Sequence, residues 1–283
     1  MTTQSNDSQI RFWNHGPGSN WVKYQQGLDQ CFENINNRLL ELCAIKPGHR
    51  ILDIGCGAGA TSIALAKKYG NTVSITGVDV SKPLLEHANR RIRSGKPMST
   101  PIQLIEADVQ NEPLEPAVYH QLVSRFGVMF FADPYTAFRN LKRSLHPDGS
   151  MAFVAWSTVE NNPWFQIPKS AAISRLGPAA PAHPREPGPM AFADLDYLDE
   201  ILRDSGFRNF SVEEEDNLIA TRLSVDKMAD LACNLGPAVR LMKEKNGTVQ
   251  DHQTIKNEVA DRFVAYETGG RVEVPVRLVV CRA

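Results

Sequence analysis

Arg50-Ile51-Leu52-Asp53-Ile54-Gly55-Cys56-Gly57-Ala58-Gly59-Ala60 decides the fold of this chain. The apolar run Ile51 to Ile54 reads as a parallel strand buried on both faces. It runs straight into glycines at 55, 57 and 59, where the chain turns tightly and bare backbone can meet a ligand. Thr61 to Tyr69 then reads as a helix, with Lys67 and Lys68 at the negative end of its dipole and Gly70 as C-terminal cap. Strand, glycine loop and helix together make a nucleotide cradle at the carboxyl end of a strand.

The glycines do not choose the nucleotide, because Gly55, Gly57 and Ala60 also fit the dinucleotide pattern G-x-G-x-x-G/A. Asp53 points away from a dinucleotide: a carboxylate beside the loop repels a pyrophosphate and welcomes an ammonium. With Gly59 as a third alternating glycine, the stretch resembles motif I, D-x-G-x-G-x-G, of class I S-adenosylmethionine (SAM) dependent methyltransferases. The resemblance implies SAM as cofactor and S-adenosylhomocysteine (SAH) as product, with Asp53, Gly55, Cys56, Gly57 and Gly59 at the cofactor. An NAD-dependent oxidoreductase on a similar sheet, or a SAM-binding regulatory module without turnover, is the alternative.

Asp79 ends a second strand, Thr72 to Val78, and lies 20 residues past Gly59. An acid there accepts from both ribose hydroxyls in a βαβ nucleotide fold, with Val80 beside it; the plain alternative is a helix cap. A third strand, Ile102 to Ala107, ends in Glu106-Ala107-Asp108. In the methyltransferases that this resembles, such an acid accepts from the adenine amino group. The resemblance therefore gives that role to Asp108, and ring packing to Ala107 and Val109. The fourth strand, Tyr119 to Arg125, has Tyr119-His120 where the family usually has Phe-Asp, and His120 is given no catalytic role. Ser124, Arg125 and Phe126 should edge the methionine part of SAM, and Met129 should line the acceptor side. The turn Leu145-His146-Pro147-Asp148-Gly149 before the fifth strand, Met151 to Ala155, is again methyltransferase-like.

The remainder is expected to add covers. Residues 1–10 are polar and read as frayed, followed by a long helix from about Ser19 with apolar positions from Trp21 to Leu42, ended by Pro47-Gly48. The resemblance suggests an N-terminal lid, residues 1–48, with Trp21 and Gln25 toward the cofactor and Trp13 toward the acceptor. The core then spans 49–157. A cap insertion, 158–193, holds a helix at 164–176 and a loop with five prolines between Pro178 and Pro189. Residues 194–283 complete the core: a helix at 194–205, a strand at 207–212, a solvated acidic run Glu213 to Asp216, helices at about 225–245 and 249–266, and a last strand, Val272 to Cys281. Trp156, Trp164 and Phe192 offer flat surfaces to an acceptor ring, with ordinary core as the competing reading. His15, Glu160 and His183 are weak candidates for a general base.

The chain of 283 residues has 42% hydrophobic and 22% charged residues, ordinary for a folded domain with a core. A net charge of -1 gives nucleic acid no electrostatic footprint. The five cysteines include no C-x-x-C, so reduced thiols in a cytoplasmic protein are expected, with no metal cluster. No apolar run approaches the roughly 20 residues of a membrane span. The expected architecture is α/β: a doubly wound, mostly parallel seven-stranded sheet with an N-terminal helical lid and a helical cap insertion. The expected activity is methyl transfer to a small organic acceptor, whose identity, reacting atom and pathway, like the oligomeric state, the sequence leaves open.

Overall fold

In the computed structural model, which describes residues 5–95, 100–180, 183 and 185–283, the quoted stretch forms the middle of a twisted sheet. β1 (Arg50–Ile54) pairs in parallel with β2 (Ser74–Asp79) on one side and β4 (Tyr119–Arg125) on the other. β3 (Ile102–Glu106) extends the sheet beyond β2, and β5 (Leu145–Trp156) extends it beyond β4, both in parallel. β8 (Arg271–Arg282) runs antiparallel between β5 and β6 (Ser211–Thr221), as the methyltransferase resemblance implies. The order is β3-β2-β1-β4-β5-β8-β6, seven strands, with a two-residue β7 (Glu267–Thr268) added to β8.

The apolar run of β1 is buried on both faces because successive side chains point opposite ways. Ile51 packs with Ile75 and Val123 in one cluster, beneath Leu40 and Leu65 of the flanking helices α3 (Glu33–Leu42) and α4 (Ala60–Tyr69). Leu52 and Ile54 join the larger cluster on the other side. There α6 (Pro134–Ser144) packs against α8 (Leu195–Asp204), and Phe138 meets Phe153, Phe192 and Phe207. Asp133 caps α6 by accepting from Thr136 N, and Pro134 fills its first position.

Four elements differ from the sequence reading. The terminus expected to fray instead forms α1 (Asp7–Asn14), with Asn6 3% exposed, while residues 1–4 of it lie outside the described residues. The single long helix is two: α2 (Gly16–Cys31) and α3, broken at Phe32, whose ring enters an aromatic cluster of Phe126, Trp156 and Trp164. The acidic run Glu213 to Asp216 is strand, not loop; its charges meet Arg282, Arg277 and Arg38. The helix at 225–245 is two, α9 (Val225–Leu235) and α10 (Pro237–Glu244), because Pro237 starts a new helix after Gly236. With α7 (Pro163–Leu176) and α11 (Val249–Phe263) they form a helical cluster, and α9 also touches α2. Of the proline loop, Pro181, Ala182 and Pro184 lie outside the described residues.

Candidate functional site

The glycine loop leaves β1 with φ of 65° at Gly55, 53° at Gly57 and 80° at Gly59, values L side chains rarely adopt. A Cβ on Gly55 would lie 2.7 Å from the Cα of Gly127, so the loop and the segment after β4 can approach only as paired glycines. A Cβ on Gly57 would meet nothing within 4 Å, so this backbone borders open space. The amide of Gly57 donates to Asp79 Oδ2 and that of Ser81 to Asp79 Oδ1, both at 2.8 Å. A carboxylate has about four acceptor positions, so Asp79 keeps two free for a diol. Burial raises its pKa to about 6 against the pull of these amides.

One strand further out, Asp108 is 6% exposed. Its Oδ1 accepts from Gln110 N at 3.1 Å and from Asn6 Nδ2 at 2.8 Å, and its Oδ2 from Asn111 Nδ2 at 2.7 Å. Roughly one acceptor position remains. Ala107 N binds Asp79 O at 3.1 Å, tying the two acid-bearing ends together, and Val109 is buried beside them. On the inner side, Ser124 Oγ donates to Ile54 O at 2.8 Å and accepts from Gly127 N, linking β4 to the glycine loop. Phe126 is held at φ 68°, a strained value for a side-chain-bearing residue, by its stack on Trp156 at 4.3 Å and its amide bond to Val154 O.

Asp53 sits behind this row rather than in it. It is 1% exposed, accepts from Ser62 Oγ of α4 at 2.6 Å, and has its pKa raised by burial to about 7, offset by Ser62 and the charge of Arg125. It acts on the site through charge, not reach. Cys56 is buried against Gly77, its thiol pushed well up by burial.

The N-terminal helices close over the strand ends. Ser81 Oγ donates to Trp13 O at 2.7 Å, Asn14 Nδ2 to Val80 O at 2.7 Å, and Lys82 N to Asn14 Oδ1 at 3.0 Å. Trp13 meets Trp21 at 6.0 Å and Phe130 at 4.9 Å, both edge-on. Gln25 binds His87 of α5 (Lys82–Ser94) and Asp29, and Asp29 pairs with Arg91, which also donates to Ala58 O in the glycine loop. Asn6, Asn14, Asp29, His87 and Arg91 were not legible as site residues, because their partners lie on distant segments. Only the polar spacing of α5 hinted at them.

The expected acceptor surfaces are mostly packed. Trp164 is 3% exposed between Phe32 and Phe263, Trp156 is 3% exposed under Phe126, and Phe192 sits among Phe138 and Phe153, apart from the row. Met129 is buried, and its carbonyl accepts from Gly188 N, pinning the loop after the prolines. His15, Glu160 and His183 are exposed, and none is bonded to the row of strand ends. No group of three or more metal-ligating side chains occurs among the described residues. No described helix is long and apolar enough to cross a membrane.

Residues 51–149 match a family model described as a methyltransferase domain. The 2-phytyl-1,4-naphtoquinone methyltransferase of a Nostoc species is 31% identical over 116 residues, 41% of this chain and 50% of the relative; the chain thus spans about half the length of the curated relatives it matches. Among solved structures, a putative methyltransferase from an antibiotic biosynthesis pathway of Anabaena variabilis superposes with a TM-score of 0.59 at 14% identity, over 89% of this chain and 98% of its own. Haemonchus contortus phosphoethanolamine N-methyltransferase 2, solved with S-adenosyl-L-methionine, superposes at 0.53 with 16% identity, over 88% and 52%. At these identities the superpositions give the fold, and that fold is the class I methyltransferase fold.

Proposed function

We propose that this chain, whose residues 51–149 form a methyltransferase domain, is a SAM-dependent enzyme that methylates a small organic acceptor. The observation that carries the reading is the row of strand ends. An open glycine cradle, the buried Asp79 with two free acceptor positions, and the buried Asp108 with one stand on three adjacent strands. That supply of acceptors fits a ribose diol and an adenine amino group. The row fits SAM better than a dinucleotide, since the ring of acids offers a pyrophosphate no cation.

SAM, when bound, supplies an already activated methyl group. The chain's part is then alignment and exclusion of water. Asp79 and Asp108 hold the nucleoside end, the Gly55–Gly59 backbone lies under the tail, and Ser124 with the strained Phe126 forms the inner wall. Trp13, Trp21 and Phe130 roof the site from α1, α2 and the segment after β4. Their half-buried rings suit an aromatic or apolar acceptor, in keeping with the quinone named for the Nostoc relative. The exposure of His15, Glu160 and His183 favours an acceptor that needs no buried general base.

Calorimetric titration tests the reading. SAH should bind and NAD should not. With SAM and a panel of small quinols, phenols, acids and amines, SAH should be released. Binding of NAD in preference to SAH would overturn it, and SAH binding without turnover on any acceptor would favour a regulatory module.

A further inference from the structure

Arg125 ends β4, next to the strained Phe126 and across from the glycine loop. Its guanidinium lies 5.8 Å over the ring of Phe32 and is partly buried. Among the described residues it makes no hydrogen bond and no ion pair, although it carries five donors. The charges that face it are Asp29, Asp53 and Arg91. Neither carboxylate is at its disposal: Asp29 Oδ2 already receives Arg91 and Gln25, and Asp53 Oδ2 receives Ser62. A guanidinium removed from water without an acceptor is costly, so its persistence implies a partner from outside the chain.

We propose that Arg125 is the carboxylate anchor of the site and grips the α-carboxylate at the amino-acid end of the cofactor. The inference rests on the cofactor reading above and deepens it. Three features select a carboxylate. The group is cationic, its planar fork matches two coplanar oxygens, and it is held against an aromatic face that fixes its plane.

Position selects the cofactor's own carboxylate. The strand ends run in the order Asp108 on β3, Asp79 on β2, the glycine loop on β1 and Arg125 on β4. Three strand spacings separate the first from the last, about 14 Å. An adenosine laid from Asp108 across Asp79 extends its tail over the glycine loop, and the end of that tail arrives at β4. There Asp53 stands behind the ammonium and Arg125 before the carboxylate. The chain thus reads both charges of the amino-acid end with side chains that hold no other ligand.

The test titrates the full chain and Arg125→Met with two probes. SAH carries the amino-acid end; 5′-methylthioadenosine has the same nucleoside and sulfur without it. Arg125→Met should weaken SAH roughly 10- to 100-fold, leave 5′-methylthioadenosine unchanged, and hold or raise the melting temperature, since no internal bond is lost. Arg125→Lys should recover part of the SAH affinity. Unchanged SAH affinity in Arg125→Met overturns the anchor and leaves an anionic acceptor as the partner. Equal weakening of both probes overturns it too, by showing that Arg125 shapes the pocket. If the parent chain binds neither probe, the cofactor reading itself falls, and the anchor with it.

Discussion

The row of strand ends and the aromatic cluster around Phe32 lie side by side, and they differ in how a residue's role is set. In the row, each role follows from position along one segment: a glycine after an apolar run, an acid at the end of the next strand. In the cluster, Phe32, Phe126, Trp156, Trp164 and Phe263 come from five segments far apart in sequence. Whether such a ring meets a ligand or another ring is settled only when the segments meet. Polar atoms in the row keep acceptor positions open, whereas the aromatic rings close on one another. The first region is built to bind and the second to hold.

The sharpest way to break that division is Trp164→Ala. The ring is 3% exposed between Phe32 at 5.9 Å and Phe263 at 6.5 Å. Removing a buried Trp costs about 3–5 kcal/mol, so thermal or urea unfolding should show a large loss while SAH affinity changes little. An unaltered melting temperature with a raised acceptor KM would return Trp164 to the acceptor wall and erase the contrast.

Asp79→Ala tests the row. Its carboxylate accepts from two backbone amides and keeps acceptors for a ligand. Loss of the ligand bonds is worth about 1–3 kcal/mol, roughly 5- to 150-fold in SAH affinity by calorimetry. If SAH binds the variant as tightly as the parent, Asp79 is a loop brace and no more.

The difference between the regions also explains what could be read in advance. β1, the glycine loop, β2 with Asp79, β3 with Asp108 and the antiparallel insertion of β8 were legible, because apolar runs and punctuating glycines and acids are local signals. The split at Phe32 was not, since the apolar spacing of α2 runs on into α3 and the break is imposed by burial of the Phe32 ring. Nor was α1: Asp7 to Asn14 is polar, and the helix is held by Asn6 and Asn14 reaching strand ends far away in sequence. Edge strand β6 was hidden for a related reason. Four acids in succession read as solvated until Arg38, Arg277 and Arg282 arrive from other segments.

Asn6 sharpens the comparison from the lid side. Its amide donates to Asp108 Oδ1 at 2.8 Å, and its carbonyl oxygen accepts from Ala132 N at 3.3 Å, joining the ends of β3 and β4. Asn6→Ala removes one such bond and leaves Ala132 N short of an acceptor, about 0.5–1.5 kcal/mol. SAH affinity should fall by less than about tenfold, and amides of residues 5–14 should exchange faster. Deleting residues 1–15 should do the same more strongly. Deletion to Pro47 is a different experiment, since it strips Ile35 and Leu39, both fully buried, from the core. Affinity untouched by either terminal change would make α1 a passive cover.

The smallest expected effect lies on the opposite rim, at the amino ends of the strands. His49, His120 and His146 stack with ring centroids 4.8 and 4.4 Å apart. Each Nδ1 accepts a backbone amide, from Lys46, Arg50 and Asp148 respectively, which leaves the ring proton on Nε2. Protonation would turn those acceptors into donors facing donors. Burial, and then the neighbouring charges of His120, Lys46 and His146, lower the pKa of His49; burial, His146 and Arg50 lower that of His120, with Asp148 opposing. A folded-state pKa below the unfolded value of about 6.5 means that the folded chain binds fewer protons. Their contribution to stability is therefore complete above about pH 6.5 and declines as pH falls below it. Urea unfolding at about pH 7.5 and about pH 5 should show a larger loss in the parent than in His120→Gln, which breaks the stack in the middle. SAH affinity at about pH 7.5 should be the same in both, because the stack and the binding row sit at opposite ends of the strands. An equal pH-dependent loss in the variant would remove the histidines from the account, and a change in SAH affinity would mean that the two rims are coupled through β1 and β4.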